Sequence, residues 1–184
     1  MRWLWLLLCG ALLACQAEHA AVAPAQPQTG AEQLSRYLPL LKNKRVGLLV
    51  NQTSRIGEQH LVDVLLQHQV NIVSIFAPEH GFRGDHDAGA HVKSAVDRHT
   101  GLPLISLYGA NKKPSAEQLQ SLDIVIFDIQ DVGVRYYTYI SSMHYLLEAA
   151  AEQGIAVLVL DRPNPNGAYV DGPVLEQPFQ SFVG

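Results

Sequence analysis

The chain has 184 residues with 48% hydrophobic content, enough to bury one sizeable core in a single domain. Its net charge of −4 shows no basic excess, which argues against nucleic acid or an anionic membrane surface as the main partner. Cys9 and Cys15 are the only cysteines, so the chain after residue 15 has neither a disulfide nor thiol chemistry and must be held by its core.

Residues 1–15 read as a targeting signal of lipoprotein type. Arg2 supplies a positive start, and Trp3 to Leu13 form an apolar run too short to span a bilayer as a stable helix. Leu12-Leu13-Ala14-Cys15 resembles a bacterial lipobox, in which Cys15 is lipidated and anchors the protein to a membrane. Leu13 stands where a small residue is commoner, so plain secretory cleavage within Ala17–Ala23 is the alternative. Gln16 rather than Asp follows the cysteine; by resemblance to lipoprotein sorting signals this directs the protein to the periplasmic side of the outer membrane. Residues 16–30, rich in Ala, Pro and Gln, read as a flexible tether.

From residue 31 onward, strands and helices alternate. Leu34, Leu38 and Leu41 give a short helix over Ala31–Leu41, and Arg45–Val50 is a first buried strand. Gln59–His68 places Leu61, Val62, Leu65 and Leu66 on one helical face before a second strand at Val70–Phe76. A third strand covers Leu102–Tyr108, nearer an edge because Pro103 cannot donate to a ladder. A helix over Pro114–Leu122 leads to a fourth, nearly all apolar strand at Asp123–Ile129. The helix Tyr139–Gln153, with Gly154 as its C-cap, precedes a fifth strand at Ile155–Leu160. This order predicts an α/β, Rossmann-like, mainly parallel sheet of about five strands with helices on both faces.

Each strand is apolar along its length and turns polar at its carboxyl end. The ends carry Asn51; Glu79, His80 and Arg83; Tyr108; Asp128, Gln130 and Asp131; and Asp161, Arg162 and Asn164. In a parallel sheet these ends share one rim, where ligands of open α/β folds bind. The turn after the first strand lacks G-x-G-x-x-G and G-x-x-x-x-G-K-[ST], so no nucleotide cofactor is expected. His80, Asp85, His86, Asp87 and His91 match no spaced metal-ligand set; a solvated polar loop and no metal are expected. No G-x-S-x-G elbow supports an esterase.

Glycosidic cleavage needs a carboxylic acid to protonate the leaving oxygen and a second group to stabilise, attack or activate water at the oxocarbenium-like centre. Glu79 fits the acid if Phe76, Phe82 and a closing cleft shield it, and Asp128 or Asp131 fits the second function. Arg83, Arg135 and Arg162 are fork donors suited to a carboxylate-bearing substrate. Tyr136, Tyr137 and Tyr139 offer stacking faces and hydroxyls, with packing at the foot of their helix as the alternative.

The segments APEHGFRG (Ala77–Gly84), SLYG (Ser106–Gly109), FDIQDVGVRYYTYISSM (Phe127–Met143), LDRPNPNG (Leu160–Gly167) and DGPVLE…SFVG (Asp171–Gly184) resemble the NamZ (YbbC-like) exo-β-N-acetylmuramidase family over about Lys44–Gly184. The resemblance implies a Rossmann-like N-terminal catalytic domain over 31–184, followed in family members by a smaller second domain, with the active site in the cleft between them. It implies release of N-acetylmuramic acid from the non-reducing ends of peptidoglycan fragments, in cell-wall turnover and recycling. A non-catalytic periplasmic module that binds muropeptides is the alternative. Carried over, Glu79 is the catalytic glutamate of the EHG motif. His80, Arg83, Asp128, Gln130, Asp131, Arg135, Tyr137 and Asp161 fall on positions expected to line the cleft. Family members continue past the position of Gly184, so residues 31–184 are expected to form one wall of that cleft and to be inactive alone.

Overall fold

A computed structural model describes residues 27–83 and 95–184. The expected leader with Cys15 and the run Asp85, His86, Asp87 and His91 lie outside the described residues. The elements are α1 (Leu34–Leu41), β1 (Val46–Val50), β2 (Arg55–Ile56), β3 (Gln59–His60), α2 (Leu61–Gln67), β4 (Ile72–Ala77), β5 (Ala95–Val96), β6 (Pro103–Ser106), α3 (Ala116–Leu119), β7 (Ile124–Asp128), α4 (Tyr139–Gln153) and β8 (Ala156–Val159). A single 3₁₀ turn, Gln177–Phe179, follows.

The main sheet runs β5-β6-β4-β1-β7-β8, and every pairing is parallel except β5 against β6. Counting only the parallel strands in sequence order, the spatial order is 3-2-1-4-5, the doubly wound arrangement. The winding reverses between β1 and β7, and the carboxyl edge there is where such folds open a crevice.

Alternation along β1 explains the two covered faces. Val46, Leu48 and Val50 pack with Tyr37 and Leu41 of α1 and with Leu61 and Leu65 of α2. Leu49 points the other way, into Leu119 of α3, Leu122, and Leu146 and Ala149 of α4. Gly47 shares that second face: a Cβ there would lie 2.6 Å from Leu122 Cδ1, so only glycine lets Leu122 press onto the strand. Among the described residues no helix is long and apolar enough to cross a membrane.

The structure departs from expectation at short elements. The sheet has six strands, because the two-residue β5 covers the outer edge of β6 in antiparallel register. The hairpin β2–β3 forms a separate two-stranded sheet. It shortens the helix expected over Gln59–His68, since Gln59 and His60 are taken by strand pairing and α2 starts at Leu61. The helix expected over Pro114–Leu122 is one turn, closed by a capping box between Ser115 and Gln118. Ala31 precedes α1 and is buried, its carbonyl accepting from the Tyr37 hydroxyl at 2.8 Å. Gly30, at the end of the expected tether, is docked: its N–H donates to Asp161 O at 2.6 Å. At the other end Ser181–Gly184 straps across α4. There Phe182 stacks on Tyr145 with centroids 5.7 Å apart, and Ser141 Oγ donates to Phe182 O at 2.7 Å.

Candidate active site at the sheet switch point

Three loops at the carboxyl edge build the site. After β1, Asn51 is fully buried and its Oδ1 accepts from Thr53 N–H at 2.9 Å and from the Thr53 hydroxyl at 2.6 Å. This is an Asx turn, which asparagine supplies through its own side chain. After β7, the Gln130 N–H donates to Thr53 Oγ1 at 2.9 Å, and Ser54 Oγ donates to Asp128 O, so the two loops are tied across the switch point. His60 braces the same corner from outside. Its Nδ1 accepts from Val62 N–H at 3.2 Å, which assigns the proton to Nε2, and Nε2 donates to Asn51 O at 2.9 Å. The ring also meets Phe82 edge-on at 4.6 Å. Burial pushes the His60 imidazole below its ordinary pKa.

After β4, Pro78-Glu79-His80-Gly81 forms a turn in which Gly81 N–H donates to Pro78 O at 3.1 Å. His80 and Gly81 both adopt left-handed backbone, at φ of 70° and 80°. Glu79 Oε2 accepts from the Thr138 hydroxyl at 3.2 Å, at the start of α4. Tyr108, just past β6, flanks the same carboxylate, whose charge pushes the Tyr108 hydroxyl up. Burial does the same to Tyr139, which lies against Asn51 and Gln52.

These residues enclose an open cleft of about 560 Å³. Glu79, His80 and Gln130 line it together with Gln52, Thr53, Thr138 and the tyrosines 136, 137 and 139. The tyrosine rings form a stepped wall, with centroids 6.2 Å apart for Tyr136 and Tyr137 and 6.0 Å for Tyr137 and Tyr139. Tyr136 and Tyr137 are exposed and present free faces, whereas Tyr139 is buried in the core. Glu79 is the one carboxylate among the described residues lining this cleft. Phe76 and Phe82 are both buried, Phe76 in the core and Phe82 against His60 and Arg83.

Apart from Tyr108 beside Glu79 and Asn51 beneath the loop, the other expected site residues are not among those lining the cleft. Asp128 is sealed, its carboxylate held by Arg162 through Nε at 2.6 Å and Nη2 at 2.9 Å. Burial pushes the Asp128 carboxyl up, against the pull of that guanidinium. Arg162 is in turn fixed by donating to Arg55 O at 3.0 Å. Asp131 Oδ1 accepts from the N–H groups of Val132 at 2.7 Å and Gly133 at 3.3 Å, a turn-forming role. Arg83 lies over the Phe82 ring and reaches Asp97 at 3.3 Å and Asp63 at 3.4 Å. Arg135 donates to Pro173 O at 2.8 Å. Asp161 receives Gly30 N–H through its carbonyl, and Asn164 Oδ1 accepts from Asn166 N–H at 2.9 Å. The three arginines expected to grip a substrate carboxylate thus all have partners within the chain.

Gln52, Thr53 and Thr138 join the cleft without being expected there. The first two sit in the loop that ends β1, where Asn51 alone stands out in the sequence; Thr138 directly precedes α4, where its oxygen reads as an ordinary cap. Among the described residues no group of three His, Cys, Asp or Glu side chains is placed to hold a metal ion.

The family described as exo-beta-N-acetylmuramidase NamZ, N-terminal, matches residues 46–184. The chain is 48% identical over 161 residues to the peptidoglycan beta-N-acetylmuramidase NamZ of Bacillus subtilis (strain 168), covering 85% of this chain and 39% of that protein. Two crystal structures of DUF1343 family proteins from Bacteroides fragilis align with TM-scores of 0.74 and 0.76, at 49% and 43% identity, each over 85% of this chain and 40% of the other. The chain therefore spans well under half the length of these relatives. With 139 consecutive positions (46 to 184) matching its N-terminal part, the chain belongs to the NamZ family.

Proposed function

We propose that this chain is the glutamate-bearing part of an exo-β-N-acetylmuramidase that releases N-acetylmuramic acid from the non-reducing ends of peptidoglycan fragments. The observation that carries the reading is Glu79, the one carboxylate among the described residues lining the cleft, beside exposed tyrosine faces at the switch point of the sheet. The activity named for the Bacillus subtilis relative supports it. In this reading the Thr138 hydroxyl holds Oε2, leaving Oε1 to carry the transferable proton. That proton goes to the glycosidic oxygen as the bond from C1 to oxygen breaks, and the bonding pair leaves with the oxygen. Water adds to C1, and its released proton restores the acid. Asp128 and Asp131 are assigned to structure, so the second function falls to the substrate's own 2-acetamido group or to the part of the relatives that this chain does not span. Tyr136 and Tyr137 give the sugar rings a stacking surface.

The apolar run ending in Cys15 supports a lipid-anchored periplasmic protein; Cys15→Ser should abolish acylation, read by metabolic labelling with palmitate, and labelling that persists would overturn the anchor. The enzymatic reading is tested by incubating the protein, expressed from its complete gene, with a chromogenic N-acetylmuramic acid β-glycoside. Chromophore release is expected. Saturable binding with no release would overturn the hydrolase reading and leave a muropeptide-binding module in its place.

A further inference from the structure

The side-chain amide of Gln130 is committed on one side only. Its Nε2 donates to Asp131 O at 2.7 Å and to Pro163 O at 2.9 Å, which engages both hydrogens that the group possesses. Both partners are carbonyl oxygens, so the amide cannot be flipped without setting Oε1 against them. The backbone is held as firmly: Gln130 N–H donates to Thr53 Oγ1, which itself donates to the buried Asn51 Oδ1. Gln130 nevertheless lines the same cleft as Glu79. Among the described residues nothing donates to its Oε1. What remains for a ligand is one oxygen, fixed in place, able to accept and unable to donate.

We propose that Gln130 Oε1 accepts the amide N–H of the substrate's 2-acetamido group and is a specificity-determining contact of this site. The inference rests on the N-acetylmuramoyl reading above. A hydroxyl can turn to suit either a donor or an acceptor, so a fixed acceptor gains little selectivity from it. An amide N–H is different, because replacing it by oxygen turns attraction into opposition of two lone-pair carriers, with the protein group left unpaired. The acetamido nitrogen sits on the carbon next to the one that reacts, so a contact there belongs in the cleft that holds Glu79. It also fixes the acetamido plane, which participation by its carbonyl oxygen requires.

The test compares two methyl β-glycosides, that of N-acetylmuramic acid and its counterpart with a 2-O-acetyl ester in place of the acetamide, by calorimetric or NMR titration of the protein expressed from its complete gene. No turnover is needed. The wild type is expected to bind the amide about ten-fold more tightly than the ester, the effect of one neutral hydrogen bond. In Gln130→Leu, or Gln130→Met should the leucine variant not fold, the two ligands should bind equally. Equal binding by the wild type overturns the assignment and leaves the sugar reading standing. A preference that survives in either folded variant also overturns it, because another residue then reads the N–H. Failure of the wild type to bind either glycoside overturns the sugar reading, and this inference with it.

Discussion

His80 holds a left-handed backbone at φ of 70° without being glycine, in the turn that presents Glu79. For an L-residue that conformation costs roughly 1 kcal/mol, and such strain persists where the surrounding structure over-determines it. His80→Gly should therefore raise the free energy of urea unfolding by about 1 kcal/mol while weakening sugar binding. A less stable variant would show that the imidazole contributes more to the fold than the backbone takes away. Arg162 and Asp128 behave in the opposite sense. The carboxylate is sealed from water and, among the described residues, the guanidinium is the one counter-charge in direct contact, so Arg162→Met should destabilise by about 3–5 kcal/mol. A loss below about 1 kcal/mol in the same measurement would refute the pairing as the reason for burying Asp128.

His60 adds a pH dependence. The groups acting on its ring are the Asn51 carbonyl, Arg83, Asp63 and Arg55, with burial the largest influence. Its folded pKa lies below the unfolded 6.5, so on acidification the unfolded chain takes up the proton first. The stability contributed by the neutral ring is thus fully present above about pH 6.5 and is lost as pH falls towards the folded value, at up to about 1.4 kcal/mol per pH unit. Urea midpoints measured at about pH 7.5 and about pH 5.5, on either side of that value, should diverge in the wild type and draw together in His60→Gln. An unchanged gap would assign the acid sensitivity to other groups.

The central strands β1, β4 and β7 are legible from composition alone because they are covered on both faces and so read as largely apolar runs, while β6 and β8, partly exposed towards the sides of the sheet, are still marked by their apolar residues. The strands β2, β3 and β5 are not legible, since two residues carry no alternation and their pairing is decided by what lies opposite. The helix α2 starts two residues later than its periodicity predicts for the same reason: strand pairing of His60, and its cap on Val62, outweigh the helical pattern that runs through Gln59. Where the chain enters the fold is also hidden, because Gly30 is fixed by a partner 131 residues away, Asp161. A Cβ on Gly30 would sit 2.6 Å from Asp161 N and 2.8 Å from the Leu160 backbone, neither of which can yield. Gly30→Ala should cost about 1–3 kcal/mol by thermal or urea unfolding, and wild-type stability would mean that the entry strap is not docked.

Seen as one body, the protein gathers its chemistry where its winding reverses. The rule that polar strand ends share a rim correctly groups Glu79, His80 and Gln130, because sheet topology alone brings those loops together. It fails for Asp128, Arg83 and Arg162, whose charges are matched by partners distant in sequence that a linear reading cannot pair. Among the described residues the cleft that results has one carboxylate and a tyrosine wall, and the hydrolytic function proposed above depends on that carboxylate meeting a glycosidic oxygen. The most direct measurement is the rate of chromophore release from an N-acetylmuramic acid β-glycoside by the protein expressed from its complete gene, compared with Glu79→Gln at matched folded concentration. The account predicts a loss of about 10²–10⁴-fold in kcat with unfolding behaviour unchanged. A variant that keeps wild-type turnover would contradict it.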